Sequence, residues 1–221
     1  MPSRDPKFSP PPTIFVVDDD ASFRSAIERL LRAGGYAVQS FASAAEFLHF
    51  ARSDAPGCVL LDLRMPGPSG MDLQSAIARS ENPLPIVFLT GQGDIPTSVQ
   101  AIRAGAEDFL TKPARKADLF PAIERALARD ARDREQRVRR RELRSRFDSL
   151  TVREFEVLTH VLSGQLNKQI ALDIGASERT IKAHRAHLMA KLQVQSVAEL
   201  SHLAHEAGIV SHEQTVVRVQ S

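Results

Sequence analysis

The chain has 221 residues, and its 29 lysines and arginines against 27 aspartates and glutamates leave a formal net charge of +2. The length suits two small domains, while so small a net charge gives no support by itself to nucleic-acid binding. A single cysteine excludes an intrachain disulfide framework, and the chain has neither an apolar run of the roughly 20 residues that span a membrane nor a signal-peptide core. We therefore expect a two-domain cytoplasmic protein.

Residues 1–12 contain five prolines and almost no apolar periodicity, which predicts a disordered leader. Over residues 13–126, strand-length apolar runs alternate with helical patterns. This alternation predicts an α/β doubly wound domain with a five-stranded parallel sheet. Within it, Ser43 and Glu46 have the spacing of a capping box, and Asp94 is placed to cap a later helix.

Polar residues stand at the ends of four predicted strands. They are Asp18, Asp19 and Asp20 after the first strand, Asp62 after the third, Thr90 after the fourth and Lys112 after the fifth. Open parallel sheets bind ligands in the crevice outside the carboxyl ends of their strands. We therefore expect these side chains to meet in one functional site.

The residue types in this group favour phosphoryl chemistry. Closely packed carboxylates tend to raise one another's pKa unless a cation such as Mg²⁺ takes them as ligands, so we expect a magnesium site. Asp62 can then attack a phosphoryl group, while Lys112 and Thr90 neutralise the charge that develops on its oxygens. Each residue alone is more often structural, Asp62 as a turn cap and Lys112 as a solvated lysine. Their joint occurrence at four strand ends favours the functional interpretation.

Residues 13–126 resemble the CheY-like receiver domain of two-component response regulators, chiefly through the Asp-Leu-Arg-Met-Pro-Gly run from Asp62 and the Lys112-Pro113 pair. The resemblance implies roles for seven residues. Asp18, Asp19, Asp62 and the backbone carbonyl of Arg64 would bind Mg²⁺; Asp62 would accept the phosphoryl group; Thr90 and Lys112 would contact it; Phe109 would switch rotamer. Two positions qualify the pattern: Asp20 adds a third acid that could alter metal affinity, and Ala114 could loosen docking of the last helix.

Residues 127–147 are predicted to form a long helical linker. From residue 129 to residue 146 the chain carries nine arginines and four acids without glycine or proline, and acid-first pairs recur at i, i+4. The run Arg139 to Arg141 could contact the DNA backbone, but a solvated helix face is the favoured interpretation. A coiled coil is disfavoured because Asp130 and Arg134 fall where its apolar seam would continue.

Residues 148–210 read as an all-α domain of four helices, followed by a C-terminal tail over 211–221. Thr151 and Glu154 form a second capping box at the start of the first helix. Helices over 167–174 and 178–192, joined by a turn that contains glycine, have the form of a helix-turn-helix.

The helix over 178–192 presents an outer face opposite its apolar residues, and this face predicts DNA contacts. The candidate DNA-binding residues are Lys168, Arg179, Lys182, Ala183, Arg185, Ala186 and Lys191. Lys182 or Arg179 could reach a guanine edge, and the two alanines could touch thymine methyls. The other three cations are better placed for phosphates. Residues 148–221 carry seven lysines and arginines against eight acids, so nucleic-acid binding rests on the motif and not on charge.

The C-terminal segment resembles the LuxR-type helix-turn-helix, through runs such as Thr180-Ile181-Lys182-x-His184. With the receiver it resembles the NarL/FixJ class, and the Gly-x-Gly-Asp-Ile-Pro run over 91–96 is similar to the FixJ and StyR branch. The resemblance implies a sensor histidine kinase, DNA and RNA polymerase as partners, and a homodimer when phosphorylated.

Two other functions deserve comparison. A phosphohydrolase of the haloacid-dehalogenase type would carry a second Asp two positions after the nucleophile, where this chain has Arg64. A receiver-like module that works without phosphate would lack the acids or Lys112, which are present. The favoured interpretation is therefore a phosphorylation-switched transcription regulator and not an enzyme.

Overall fold

The computed structural model describes residues 11–50, 55–91 and 95–209. The predicted tail over 211–221, the predicted cap at Asp94 and all but the last two residues of the predicted leader lie outside these ranges. Within them, the chain divides into two compact units between Asp133 and Arg134.

The first unit is built from alternating strands and helices. Its strands are β1 (Thr13–Val17), β2 (Ala37–Phe41), β3 (Gly57–Asp62), β4 (Ile86–Thr90) and β5 (Asp108–Thr111). Its helices are α1 (Ala21–Ala33), α2 (Ala44–His49), α3 (Gly70–Ala78), α4 (Ile95–Arg103) and the start of α5 (Lys116–Asp148). All neighbouring strands pair in parallel, in the order β2-β1-β3-β4-β5. The predicted doubly wound five-stranded sheet is confirmed.

Apolar cores cover both faces of the sheet because successive strand residues point to opposite faces. One core joins strand residues such as Val59 and Phe88 to Phe47 of α2 and Leu73 of α3. The other joins Ile14, Leu60 and Val87, among others, to apolar residues of α1 and α5. Because both faces of the sheet are covered, the strands are continuous apolar runs and do not alternate between apolar and polar residues.

Helix α5 docks onto the second core through Leu119, Ala122, Ile123 and Ala126, all fully buried. Ala114 itself packs partly buried against the same core. The expectation that alanine at this position could loosen the docking of α5 stays a prediction.

Two capping boxes form differently from one another. At Thr151 the hydroxyl accepts from the Glu154 N–H, and the Glu154 carboxylate accepts from the Thr151 N–H, as predicted. Ser43 likewise accepts from the Glu46 N–H, but the Glu46 carboxylate accepts from the Ala42 N–H, 2.6 Å away, instead of from Ser43. The reciprocal half of the box predicted at Ser43 is thus wrong by one residue.

Residues that the sequence assigned to the linker contribute to the interior of each unit. In the first unit, Asp130 is fully buried and its Oδ2 accepts a hydrogen bond from the Gly57 N–H, 2.9 Å away, at the first residue of β3. In the second unit, Leu143 and Phe147 belong to the hydrophobic core. The helical character of the segment is as predicted, but these three residues are structural rather than a solvated spacer.

The second unit contains α6 (Val152–Leu162), α7 (Asn167–Asp173), α8 (Glu178–Leu192) and α9 (Val197–Glu206). Helix α8 has the predicted bounds, and α7 ends one residue earlier than predicted. Gly175, in the turn between α7 and α8, has φ +66°, a backbone conformation that side chains disfavour. This turn joins the two helices of the helix-turn-helix.

Candidate functional site

The predicted polar residues of the receiver-like unit converge at the carboxyl-terminal ends of the strands. Asp18 directly follows β1, Asp62 ends β3 and Thr90 ends β4. Because β1 pairs with β3 and β3 with β4 in parallel, their carboxyl ends lie side by side. All three residues are buried, so they form an internal cluster at the carboxyl-terminal ends of the strands.

Lys112, which follows β5, joins the two buried acids. Its Nζ lies 2.7 Å from Oδ2 of Asp62 and 2.5 Å from Oδ2 of Asp18. The same ammonium group lies 4.3 Å from the ring centroid of Phe23, a cation–π contact. Phe23 lies on α1, and no pattern in the sequence indicated that its ring would meet the lysine.

The environment of Asp18 and Lys112 shifts their pKa values. Burial raises the pKa of Asp18, against the opposing effect of the hydrogen bond from Lys112. For Lys112, burial favours a lower pKa, but hydrogen bonds to Asp18 and Asp62 and their negative charges prevail and raise the pKa. Lys112 is therefore charged at neutral pH and partly compensates the acids around it.

Three carboxylates could hold a metal ion together. Asp18, Asp19 and Asp62 each offer one oxygen, and these oxygens lie within 4.8 Å of one another. Oxygen-rich acidic groups suit Mg²⁺, and three acids exceed what a single ammonium can neutralise, so the residues fit this ion. The Arg64 N–H donates to Oδ1 of Asp62, 3.2 Å away; a metal contact through the Arg64 carbonyl stays a prediction.

Asp20 has a structural task and lies outside this carboxylate group. It caps α1, and its Oδ1 accepts from the N–H groups of Ser22, at 2.8 Å, and Phe23, at 3.1 Å. These backbone hydrogen bonds, that from Phe23 first, lower the pKa of the Asp20 carboxyl. The third acid thus caps the start of α1, and its expected influence on metal affinity stays a prediction.

The predicted switch residues lie on adjacent strands. Thr90 is buried at the end of β4, while Phe109 on β5 is half-buried, with its ring centroid 6.0 Å from that of Phe88. Strands β4 and β5 pair in parallel, which places both residues near the same end of the sheet. Their coupling stays a prediction.

Helix α8 presents four of the predicted DNA-contact residues to solvent: Arg179, Lys182, Ala183 and Ala186 are exposed. The opposite face is buried through Ile181, Leu188 and Leu192. Lys182 forms an ion pair with Glu178 at 3.2 Å, and both side chains are largely exposed. Such a surface pair is weak, so Lys182 can leave it for DNA at little cost.

The three predicted phosphate contacts differ in how the protein holds them. Lys168 is exposed at the start of α7. Arg185 is half-buried and donates to Oδ1 of Asn167, 2.7 Å away. The Nζ of Lys191 lies 2.6 Å from Oε2 of Glu154.

The sequence analysis did not predict that Arg185 and Lys191 have hydrogen-bond partners within the domain. Lys191 and Glu154 are 37 positions apart, and no local pattern joins them. The hydrogen bond from Lys191 is the main reason that the pKa of Glu154 falls to about 2. Lys191 therefore stabilises the start of α6 whether or not it also contacts a phosphate.

Two family models match the chain, in the order of its two units. Residues 14–124 match the response regulator receiver domain, and residues 148–204 match the luxR family of bacterial regulatory proteins. A doubly wound sheet with an acidic, lysine-paired centre, followed by this helix-turn-helix, defines a two-component response regulator that binds DNA.

Named relatives are similar over most of their length. The chain is 41% identical over 206 residues to nodulation protein W of Bradyrhizobium diazoefficiens, covering 92% of this chain and 91% of that protein. It is 45% identical over 187 residues to the response regulator protein TmoT of Ectopseudomonas mendocina, covering 85% of each. To the transcriptional regulatory protein FixJ of Bradyrhizobium diazoefficiens it is 37% identical, covering 90% of this chain and 97% of FixJ.

Solved structures agree with these relatives. The response regulator StyR matches with a TM-score of 0.68 and 45% identity, over 89% of this chain and all of that one. Full-length FixJ from B. japonicum matches with a TM-score of 0.54 and 36% identity, over 92% of this chain and all of that one. The chain belongs to the NarL/FixJ class of response regulators. It is a transcription regulator and not an enzyme, which sets aside the phosphohydrolase interpretation.

The receiver domain implies a kinase as partner, and the luxR-type domain implies DNA. Among the helices in the described part of the chain, none has the length and apolar character to cross a membrane.

Proposed function

We propose that a sensor histidine kinase phosphorylates Asp62 in a Mg²⁺-dependent reaction, and that this modification controls dimerisation and sequence-specific DNA binding. The observation that carries the proposal is the position of Asp62. Its carboxylate stands at the end of β3, 2.7 Å from the Lys112 ammonium, within a group of three carboxylates suited to a divalent ion.

In the reaction, a carboxylate oxygen of Asp62 forms a bond to phosphorus while the bond between phosphorus and the donor's leaving group breaks. Asp18, Asp19, Asp62 and the Arg64 carbonyl would hold Mg²⁺, which would supply positive charge to the reaction. Lys112 is already placed against Asp62 and would transfer its hydrogen bond to a phosphoryl oxygen. The N–H of Arg64 orients the attacking carboxylate through Oδ1.

The switch would run through Thr90 and Phe109. A phosphoryl group gives the Thr90 hydroxyl a strong acceptor to approach, and that movement vacates space into which the Phe109 ring can turn. Phe109 is half-buried beside Phe88, which supports a side chain able to change rotamer.

The phosphorylated protein would bind DNA as a homodimer, with α9 supporting dimerisation. One helix-turn-helix reads only a few base pairs, and half-sites about 10 base pairs apart are the usual solution for a dimer. On each half-site, Arg179 or Lys182 would reach base edges beside Ala183 and Ala186. Lys168, Arg185 and Lys191 would contact phosphates. RNA polymerase as a partner and a cytoplasmic location belong to the same proposal.

The test is intact-mass measurement after treatment with acetyl phosphate and Mg²⁺. We expect one phosphoryl group on the natural protein and none on Asp62→Asn, whose amide is a poor nucleophile. Thr90→Ala should accept the phosphoryl group but fail to dimerise in light scattering. Equal labelling of Asp62→Asn would reject Asp62 as the acceptor, and normal dimerisation of Thr90→Ala would reject the coupling route.

A further inference from the structure

The ammonium group of Lys112 has close partners on three sides. Two are the carboxylates of Asp18 and Asp62, at 2.5 Å and 2.7 Å from Nζ. The third is the ring of Phe23, whose centroid lies 4.3 Å from the same nitrogen. The Lys112 side chain is only 15% exposed, so the ring contributes to shielding the ammonium group from water. Two acids and one aromatic ring therefore enclose this cation.

The start of α1 fixes the position of the Phe23 ring. The Phe23 N–H donates to Oδ1 of Asp20, 3.1 Å away, which places the residue in the first turn of the helix. The next residue, Arg24, donates from Nη1 to the Asp18 carbonyl, 2.6 Å away. The ring also packs, partly buried, against the core that α1 and α5 share. The first turn of α1 is thus anchored to the strand end that carries Asp18.

The ring matters because the ammonium group would have to change partners during the proposed reaction. Lys112 now donates to Oδ2 of Asp62 and would turn to a phosphoryl oxygen. The ring has no oxygen or nitrogen that would compete with the phosphoryl group for the N–H donors. A cation is attracted to an aromatic face up to about 6 Å from its centroid, so this attraction persists while the donors turn. Phe23 can therefore hold the cation in place through the exchange.

We propose that Phe23 is a positioning residue of the phosphorylation site. Its ring holds the Lys112 ammonium group beside Asp62, so that the cation meets the phosphoryl group as it arrives. Phe23 makes and breaks no covalent bond, and it acts through Lys112 alone. The inference rests on the proposed phosphorylation of Asp62, but the contact between ring and ammonium group can be tested without that reaction.

A second cation–π pair in the same domain provides a matched control. The Nζ of Lys116 lies 5.1 Å from the ring centroid of Phe120, and Phe120 packs, partly buried, against the same core as Phe23. The Phe120 ring also lies 5.8 Å from that of Tyr36, which follows the carboxyl-terminal end of α1. Phe23 lies in the first turn of that helix. The two pairs therefore resemble each other, but only the Phe23 pair includes the lysine of the phosphorylation site.

The test replaces either ring, in the full-length protein, by phenylalanine that carries one, two or three fluorine atoms. Fluorine withdraws electron density from the ring face and weakens a cation–π contact stepwise, while the size of the ring changes little. Intact-mass measurement follows the rate of phosphorylation by acetyl phosphate at saturating Mg²⁺. We expect the rate to fall with each fluorine at Phe23, about fivefold with three, and to stay constant across the Phe120 series. Phe23→Leu should slow the reaction similarly, whereas Phe23→Tyr should restore most of the rate.

Proton NMR tests the contact itself in the absence of a phosphoryl donor. The ring current of Phe23 should shift the ε-methylene protons of Lys112 upfield, and Phe23→Leu should remove this shift while Phe23→Tyr keeps it. Equal rates across the fluorinated Phe23 series, or equal slowing in the Phe120 series, would show a packing role only and overturn the proposal. So would Lys112 protons that are unchanged by Phe23→Leu. If the natural protein accepts no phosphoryl group, the proposed function fails, and the NMR shift alone then decides whether Phe23 holds the ammonium group.

Discussion

The two halves of this regulator place their functional residues in opposite ways. In the receiver domain, Asp18, Asp62 and Lys112 come from three strand ends, and Lys112 bridges the two buried acids. In the DNA-binding domain, Arg179 and Lys182 stand exposed on one helix. We therefore expect substitutions in the interior site to change both function and the free energy of unfolding. Substitutions of the exposed residues on the helix should change DNA binding alone.

The largest effect should come from removing the cation of the receiver site. Lys112→Met leaves Asp18 and Asp62 as buried acids without their partner, and we expect the free energy of unfolding to fall by about 3 kcal/mol in the absence of Mg²⁺. Tyr36, the only tyrosine in a chain without tryptophan, makes fluorescence a receiver-specific probe of urea unfolding. Lys168→Met, at an exposed position in the other domain, is the control. An unchanged midpoint in Lys112→Met would show that the acids do not depend on the lysine.

The next largest effect should come from a buried acid outside the phosphorylation site, which we expect to stabilise the folded receiver domain. Asp130→Ala leaves the Gly57 N–H at the start of β3 without its acceptor, and we expect a loss of about 2 kcal/mol. Asp133→Ala, three residues along the same helix and about half exposed, should change stability by less than about 0.5 kcal/mol. Tyrosine fluorescence during urea unfolding measures both variants. Equal losses would contradict a specific role for Asp130.

On the exposed side of the comparison, Lys182→Ala should leave stability unchanged and alter DNA binding. We expect about a tenfold loss of affinity for the operator, with relaxed preference at one base pair. Lys168→Ala should instead weaken operator and random duplexes alike and lower the salt slope by about 1. Fluorescence anisotropy at several salt concentrations separates the two. If Lys182→Ala weakens both duplexes equally, the helix sits differently in the groove.

The smallest expected effect concerns an ion pair in the second domain, between Lys191 and the buried carboxylate of Glu154. Lys191 and the Thr151 N–H hold the pKa of Glu154 at about 2, below the ordinary value of 4.5. A lowered pKa in the folded state means that the carboxylate stabilises the domain above about pH 4.5 and that this contribution is lost as the pH falls toward 2.

Glu154→Gln should therefore cost about 1 kcal/mol at neutral pH and remove that part of the acid sensitivity. Hydrogen exchange of the α6 amides between pH 7 and pH 3, corrected for intrinsic rates, measures it. Glu156→Gln, on the same helix in an exposed pair with Arg153, is the control. Identical pH dependence in natural protein and Glu154→Gln would contradict the assignment.

Sequence reasoning succeeded where function follows from periodicity. Strand-length apolar runs locate Asp62 and Thr90 at strand ends, and a turn followed by a cap locates Glu178–Leu192 as a helix. It failed where a residue's task depends on a distant partner. Asp130 lies in the segment where acid-first pairs recur at i, i+4, yet its carboxylate accepts from the Gly57 N–H, 73 positions away.

The acidic run after β1 shows a limit of another kind. Asp18, Asp19 and Asp20 are chemically identical, and only the start of α1 decides that Asp20 turns toward backbone N–H groups. The buried position of Asp18 and the exposure of Asp19 likewise depend on the exact end of the strand. If the end of β1 were shifted by one residue, neighbouring aspartates would exchange their roles. Sequence patterns do not locate the ends of strands and helices to within one residue.

The central claim is that the buried charge cluster of the receiver domain controls the exposed helix of the DNA-binding domain. The direct measurement is fluorescence anisotropy with a duplex selected from a random pool, before and after acetyl phosphate and Mg²⁺ treatment. We expect the natural protein to bind at least about tenfold tighter after treatment and Asp62→Asn to be unchanged. Equal tightening of both proteins, or of neither, would contradict the account.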